Sequence, residues 1–347
     1  MRIPVRLLPA REVAAIRVLR CLTPRRAANA AAALCSLLLS LLLRRPIVRG
    51  LPPVLNVEPT NICNLRCPLC VTGCRQMERP DGMMDYDLFR RIVDQVCRRV
   101  LYITLYHQGE PYLHPRFNDF VAYAKSRGVY VNTSTNAHFF NHETAEAVVQ
   151  SGLDSMIISL DGVTEEAYRH YRRGGSLRIV LEGIRNLVKA KKRLHRRTPY
   201  LFVQFLVMKH NESQIPAVKK LALELGVDRL LFKTLEVHTA GEARAWLPEG
   251  ERYRRYRVNE DEFAVKGGSR GVCPRLWLTA LVDWDGVVVP CCFDKNARYP
   301  MGRLDGGGSF EQIWRSPPYQ AFRQRIISDR SAIPMCRTCN YGIGLFR

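Results

Sequence analysis

The residues best equipped for chemistry are three cysteines, Cys63, Cys67 and Cys70, which follow the short run Asn56-Val57-Glu58-Pro59-Thr60-Asn61-Ile62. Spacings of three and two intervening residues let one loop wrap three thiolates around a single metal centre. A cubane iron–sulfur cluster has four irons, so three thiolates leave one iron open to an incoming group. An open position separates a catalytic centre from a structural one, as it does at zinc. The competing reading, a zinc loop, suits this pattern less well, because structural zinc favours paired Cys-x-x-Cys hooks that total four ligands. Cys74 reads as a loop thiol, since a fourth ligand would close the open site.

A second group of thiols lies near the other end. Cys273 precedes two β-rich runs joined by Asp285-Gly286, a strong hairpin signal. Cys291-Cys292 follows the hairpin, and Cys336-Arg337-Thr338-Cys339 comes later. One cysteine before the hairpin, one after it and the terminal Cys-x-x-Cys supply four thiolates, enough to close a 4Fe–4S cluster or a structural zinc site. Twelve cysteines in short-spaced groups favour metal binding in a reducing compartment over disulfides. The remaining Cys21, Cys35 and Cys97 read as apolar packing residues.

The elements that position these thiols alternate. Strand-like runs fall at 54–57, 100–106, 129–133, 155–159, 201–207 and 229–234, with helical patterns at 85–98, 116–127, 141–151, 176–194 and 212–225. Repeated βα units predict an α/β fold with a parallel sheet and right-handed crossovers, and periodicity alone leaves a barrel and a doubly wound sheet equally open. In a barrel, functional residues gather at the C-terminal ends of the strands. Those ends carry Gly109-Glu110, Ser134-Thr135-Asn136 and Ser159-Leu160-Asp161, with Arg172 and Arg173 a little further on. His107 reads as a packed or hydrogen-bonded histidine.

The three-cysteine loop after a strand resembles the signature of the radical SAM enzymes. That resemblance implies a partial (β/α)6 barrel over 51–240. It also implies S-adenosylmethionine chelated to the open iron and cleaved by one electron to a 5′-deoxyadenosyl radical. Gly109 and Glu110 are similar to the family's motif for the amino group of the cofactor, Ser134 and Asn136 to its ribose segment, though the usual next glycine is Ala137. Ser159 and Asp161 would face the nucleoside, and Arg172, or Arg173 in its stead, would hold the carboxylate. The C-terminal cysteines resemble a short SPASM domain at 273–347, with one auxiliary 4Fe–4S cluster on Cys273, Cys291, Cys336 and Cys339 serving electron transfer. Cys291 is chosen over Cys292 because Pro-Cys at the hairpin end is the family arrangement. Cys292 or Asp294 then becomes a candidate to take a proton or hydrogen atom from substrate. Residues 241–272 read as a connection.

Residues 1–50 hold ten arginines against one acid, Glu12, and an apolar run from Ala27 to Leu43. Seventeen helical residues span about 26 Å, short of a hydrocarbon core of about 30 Å. The segment reads as a helix on a membrane surface or packed on the barrel. The net charge of +21 calls for an acidic partner or surface, but no RNA-binding motif accompanies the basic runs at 189–197 and 252–257, so nucleic acid is not expected. The expected partners are a reductant protein of flavodoxin or ferredoxin type and a peptide or lipid substrate, in the cytoplasm or at the inner face of its membrane. The competing class is a non-catalytic iron–sulfur or nucleic-acid-binding protein.

Overall fold

The structure, a computed structural model, describes residues 18–259, 263–266, 273–337 and 339. It opens with helix α1 (Pro24–Leu43), whose N-terminus is capped by the Thr23 hydroxyl. Six strands follow: β1 (Val54–Val57), β2 (Tyr102–Leu105), β3 (Tyr130–Thr135), β4 (Ser155–Ser159), β5 (Tyr200–Val207) and β6 (Arg229–Thr234). Each pairs in parallel with the next, so spatial order follows chain order. A doubly wound sheet reverses its order at a switch point. The unbroken order therefore decides for the barrel-type winding.

The helices between the strands are α2 (Tyr86–Val96), α3 (Phe117–Ser126), α4 (His142–Gln150), α5 (Glu165–Tyr171), α6 (Leu177–Arg193) and α7 (Ile215–Leu225). Side chains that accept from free N-terminal amides start three of them: Asp85 for α2, Asn141 for α4 and Thr164 for α5. One face of each longer helix is apolar. On α2 it is Leu88, Phe89, Ile92, Val93 and Val96, all buried, and Phe89 stacks on Phe120 of α3 at 4.3 Å between ring centres.

The chain between 240 and 272 is more than a connection. It contains α8 (Ala240–Trp246) and an antiparallel pair, β7 (Tyr256–Val258) and β8 (Phe263–Val265). The expected hairpin then appears after α9 (Arg275–Leu278), as β9 (Thr279–Val282) and β10 (Val287–Val289), with β11 (Gly302–Arg303) alongside. These strands extend the barrel sheet itself: β9 lies parallel to β1, so nine strands run in the order β11-β10-β9-β1 to β6. Packed behind them are α10 (Phe310–Trp314) and α11 (Pro317–Asp329). The guanidinium of Arg323 lies 4.2 and 4.1 Å from the ring centres of Trp314 and Tyr319, and the Trp314 indole donates to Gly50 O at 3.0 Å. The parallel β1–β9 register puts the residues after both strands, Glu58 and Asp283, at the same end of the sheet.

Candidate active site

The loop after β1 carries the three cysteines and is held from below by polar turns. The Thr60 hydroxyl donates to Gly82 O at 2.7 Å, and the Asn61 side chain bridges Pro80 O and Gly82 N at 2.8 Å each. Amides then close successive turns, Cys70 N on Cys67 O and Cys74 N on Cys70 O. A Cβ on Gly73 would come within 2.5 Å of Cys67 N, so only glycine lets the loop fold back on itself. As expected of a loop thiol, Cys74 bonds to a backbone carbonyl, Pro68 O at 2.7 Å.

Cys63, Cys67 and Cys70 line one cavity of about 250 Å³. Glu110, Ser134, Asn136, Ser159 and Arg172 line its other walls. Gly109, at φ +72°, brings the second strand end against the cysteine loop, where a Cβ would lie 2.5 Å from Thr60 O. Glu110 N then bonds to Ile62 O at 2.8 Å. The Glu110 carboxylate accepts from Tyr112 N, the Thr135 hydroxyl and Asn136 N at 3.2, 2.7 and 2.7 Å. Burial still pushes it up to about 7, because these neutral donors supply no charge. Burial likewise drives the Cys63 thiol up to about 12. A buried carboxylate without a bonded cation and three thiols on one wall suit a ligand that brings an ammonium group and a metal centre that brings positive charge.

The other sequence-predicted residues divide. Asp161 stands behind the cavity rather than in it. Its Oδ2 accepts from Arg172 Nε at 2.6 Å and its Oδ1 from Leu206 N at 2.8 Å, which leaves it to orient Arg172. Arg172 in turn reaches Cys67 Sγ at 3.8 Å. Arg173 is exposed and bonds through its carbonyl to Arg66 N. Of the two expectations for His107 the structure gives the packed one: its Nε2 is buried, without a hydrogen-bond partner.

Sequence reading missed the cluster that surrounds His107. Arg79 clasps Glu58 through two bonds of 2.8 and 2.9 Å and stands 3.4 Å from Asp283, whose carboxylate oxygens are buried without a hydrogen-bond partner. Burial opposes the Glu58 charge, but the Arg79 bonds outweigh it and hold the carboxyl below its usual value. Burial and the charge of Glu58 push Asp283 up to about 9, and burial takes His107 down to about 4. The strand-end rule could have flagged Glu58 and Asp283; nothing in the sequence singled out Arg79.

Cys273, Cys291, Cys336 and Cys339 line a second, apolar pocket together with Arg330. Arg330 is 6% exposed, and its Nε and Nη1 have no partner. A buried cation facing four thiols fits a metal–thiolate centre of net negative charge. Cys292 instead contacts Arg275 Nη1 at 3.0 Å. Asp294 is spent on the turn it begins, accepting from Arg298 N and Tyr299 N at 2.8 Å each, so its carboxylate is a cap. None of the twelve cysteines is joined in a disulfide.

Comparison with known proteins places the chain in a family. The sequence model of the radical SAM superfamily matches residues 57–222, and that of an iron–sulfur cluster-binding domain matches 273–340. The chain is 30% identical, over 314 residues, to the tungsten-containing aldehyde ferredoxin oxidoreductase cofactor-modifying protein of Pyrococcus furiosus, covering 82% of this chain and 86% of the relative. The chain belongs to the radical SAM superfamily. A second relative, the mycofactocin maturase MftC of Mycobacterium ulcerans, is 27% identical over 84% of this chain and 80% of its own. The radical SAM fold is also that of Streptococcus suis SuiB bound to S-adenosylmethionine, with a TM-score of 0.61 and 15% identity over 85% of this chain and 73% of that one. This radical SAM enzyme therefore works with S-adenosylmethionine and 4Fe–4S clusters, and the match at 273–340 favours iron–sulfur over zinc in the second pocket.

Proposed function

We propose that this enzyme modifies a peptide or protein substrate that presents an acidic group to the cavity. The observation that carries this is the charge beside Cys292. Lys233, Arg255, Arg275 and Lys295 converge there with one carboxylate, Glu236, which bonds to Arg255 and Lys295 at 3.4 Å each. Burial and the neighbouring Arg255 lower the Lys233 ammonium from its usual value, as crowding among cations does. A substrate carboxylate offsets that charge. One relative bears a name that matches such a substrate, the PqqA peptide cyclase of Gluconobacter oxydans, 29% identical over about half of this chain.

In this reading Cys63, Cys67 and Cys70 hold the catalytic cluster, and Cys273, Cys291, Cys336 and Cys339 the auxiliary one. When bound, the first supplies the electron that cleaves S-adenosylmethionine to the 5′-deoxyadenosyl radical. Glu110 takes the cofactor's ammonium, Arg172 its carboxylate, and Ser134, Asn136 and Ser159 its nucleoside. Asp161 keeps Arg172 in place. Cys292, rather than the capped Asp294, is the group that exchanges a proton or hydrogen atom with substrate. A small acidic electron carrier, flavodoxin or ferredoxin in type, suits the basic surface as reductant, and oxygen-sensitive clusters suit the reducing cytoplasm.

Synthetic peptides with internal and C-terminal carboxylates test the substrate class. With the reconstituted enzyme, reductant and S-adenosylmethionine, an acidic peptide should raise 5′-deoxyadenosine above the substrate-free level and itself change mass. Stimulation by a lipid extract with none by any peptide would sink the reading.

A further inference from the structure

Helix α1 is built inside out. Its buried stripe is Arg26, Asn29, Ala33, Ser36, Leu37 and Ser40, four of the six polar. Arg26 donates to the carbonyls of Cys21, Cys97, Arg127 and Gly128 at 2.5–3.0 Å. Asn29 pairs with both backbone groups of Leu51 at 2.9 Å, Ser36 accepts from Arg49 N, and Ser40 accepts from Ile47 N. The opposite stripe is Ala28, Ala31, Leu34, Cys35, Leu38 and Leu42, all exposed, and no exposed position from 28 to 43 is polar. Leu34, Leu38 and Leu42 are 49, 51 and 77% exposed. A soluble helix does the reverse, hiding its leucines and wetting its serines.

We infer that this leucine stripe, with the arginines at its two ends, seats the enzyme on an anionic membrane surface with the substrate cavity facing the aqueous side. Charge chooses the occupant. Arg25 is exposed at one end of the helix and Arg44 and Arg45 at the other, and no acid occurs between residues 18 and 57. A second copy of the helix, in either direction, would set arginines against arginines, whereas anionic headgroups pair with both ends. Twenty helical residues span about 30 Å, and by length and composition α1 could cross a membrane. A crossing would tear Arg26, Asn29, Ser36 and Ser40 from the barrel and strand them in hydrocarbon, so the helix lies in the interface instead.

The seat also fixes direction. The carbonyls that Arg26 and Asn29 hold precede β1, β2 and β3, so α1 runs across the N-terminal ends of those strands. The cysteine loop, Glu110 and Asn136 follow the C-terminal ends. A bilayer under α1 is thus at the far end of the barrel from the cavity, and substrate arrives from water. That orientation removes the reason to expect a membrane lipid as substrate, while the membrane contact itself stands whatever the substrate is.

Flotation of the full-length, cluster-loaded enzyme on phosphatidylcholine vesicles, with and without phosphatidylglycerol, tests this. Binding is expected only with phosphatidylglycerol, weakened by high salt, and with 5′-deoxyadenosine formation unchanged on the vesicle. The triple variant Leu34→Glu/Leu38→Glu/Leu42→Glu should lose about tenfold or more of its bound fraction and keep its cleavage of S-adenosylmethionine. Leu38→Trp should show a blue-shifted emission on vesicles. Absence of flotation, or unaltered flotation of the triple variant, overturns the inference. So does a wild-type dimer that the triple variant splits into monomers, which would assign the stripe to a second copy.

Discussion

Glu110 is a carboxyl group that burial holds near the point of half-ionisation until a cation arrives. Its folded value of about 7 lies above the usual carboxylate range. In the ligand-free protein its contribution to stability is therefore complete at acid pH and is lost as pH rises toward 7. Binding of an ammonium needs the ionised form. The affinity for S-adenosylmethionine should thus climb between about pH 6 and 8, by up to about tenfold per unit on the acid side, and Glu110→Gln should weaken binding and flatten the climb. Calorimetric titration of the reconstituted enzyme measures both, and an unchanged slope in the variant would contradict the assignment. The Glu58–Arg79–Asp283 group makes an opposite pair of predictions. Glu58→Gln leaves a buried guanidinium without its bidentate partner and should cost about 3–5 kcal/mol. Asp283→Asn copies the neutral form that Asp283, pushed up to about 9, already takes at pH 7 and should change stability by less than about 1 kcal/mol. Equal losses in anaerobic denaturation would show the two carboxylates to be equivalent.

Elements explain how the loop can hold three thiols at once. The close approach of Gly73 to Cys67 makes it the residue on which the loop's shape turns. Gly73→Ala should drop bound iron from about eight to about four atoms per chain while the auxiliary site stays filled, and iron analysis with sulfide counting would read it. Full loading would show that the loop can relax around a Cβ. The six barrel strands were legible because each is a short, largely apolar, β-branched or aromatic run bounded by turn residues, and the two cysteine groups stood out because their spacing could hold metal. Helix α11 escaped because it opens on Pro317-Pro318, which resembles a loop until the prolines are read as helix-starting residues. The β7–β8 pair escaped because three-residue strands carry too little alternation. No local signal could show that β9 would join β1 in parallel across more than two hundred residues. That pairing created the Asp283–Glu58 encounter and with it the unexpected setting of His107. The role of Asp161 was half legible: its strand-end position was right, but only packing revealed that it faces Arg172.

At the scale of the whole molecule, one nine-stranded sheet organises both cysteine sites. The barrel strands carry the cysteine loop and the Glu110 wall, and the added hairpin carries Cys291 and Cys292 from the other edge. The net charge of +21 is spread over the chain, and two of its concentrations, the cations around Cys292 and the arginines flanking α1, are the proposed seats of an acidic substrate and an anionic surface. The molecule-scale prediction is that the two cysteine groups bind separate clusters and that only the first drives chemistry. Anaerobic reconstitution with iron and sulfide, then dithionite reduction with S-adenosylmethionine, tests it in the intact chain and in Cys63→Ala/Cys67→Ala/Cys70→Ala. About eight irons and 5′-deoxyadenosine are expected from the intact chain, and about four irons with no 5′-deoxyadenosine from the variant. Equal iron in the two proteins, or 5′-deoxyadenosine from the variant, would contradict it.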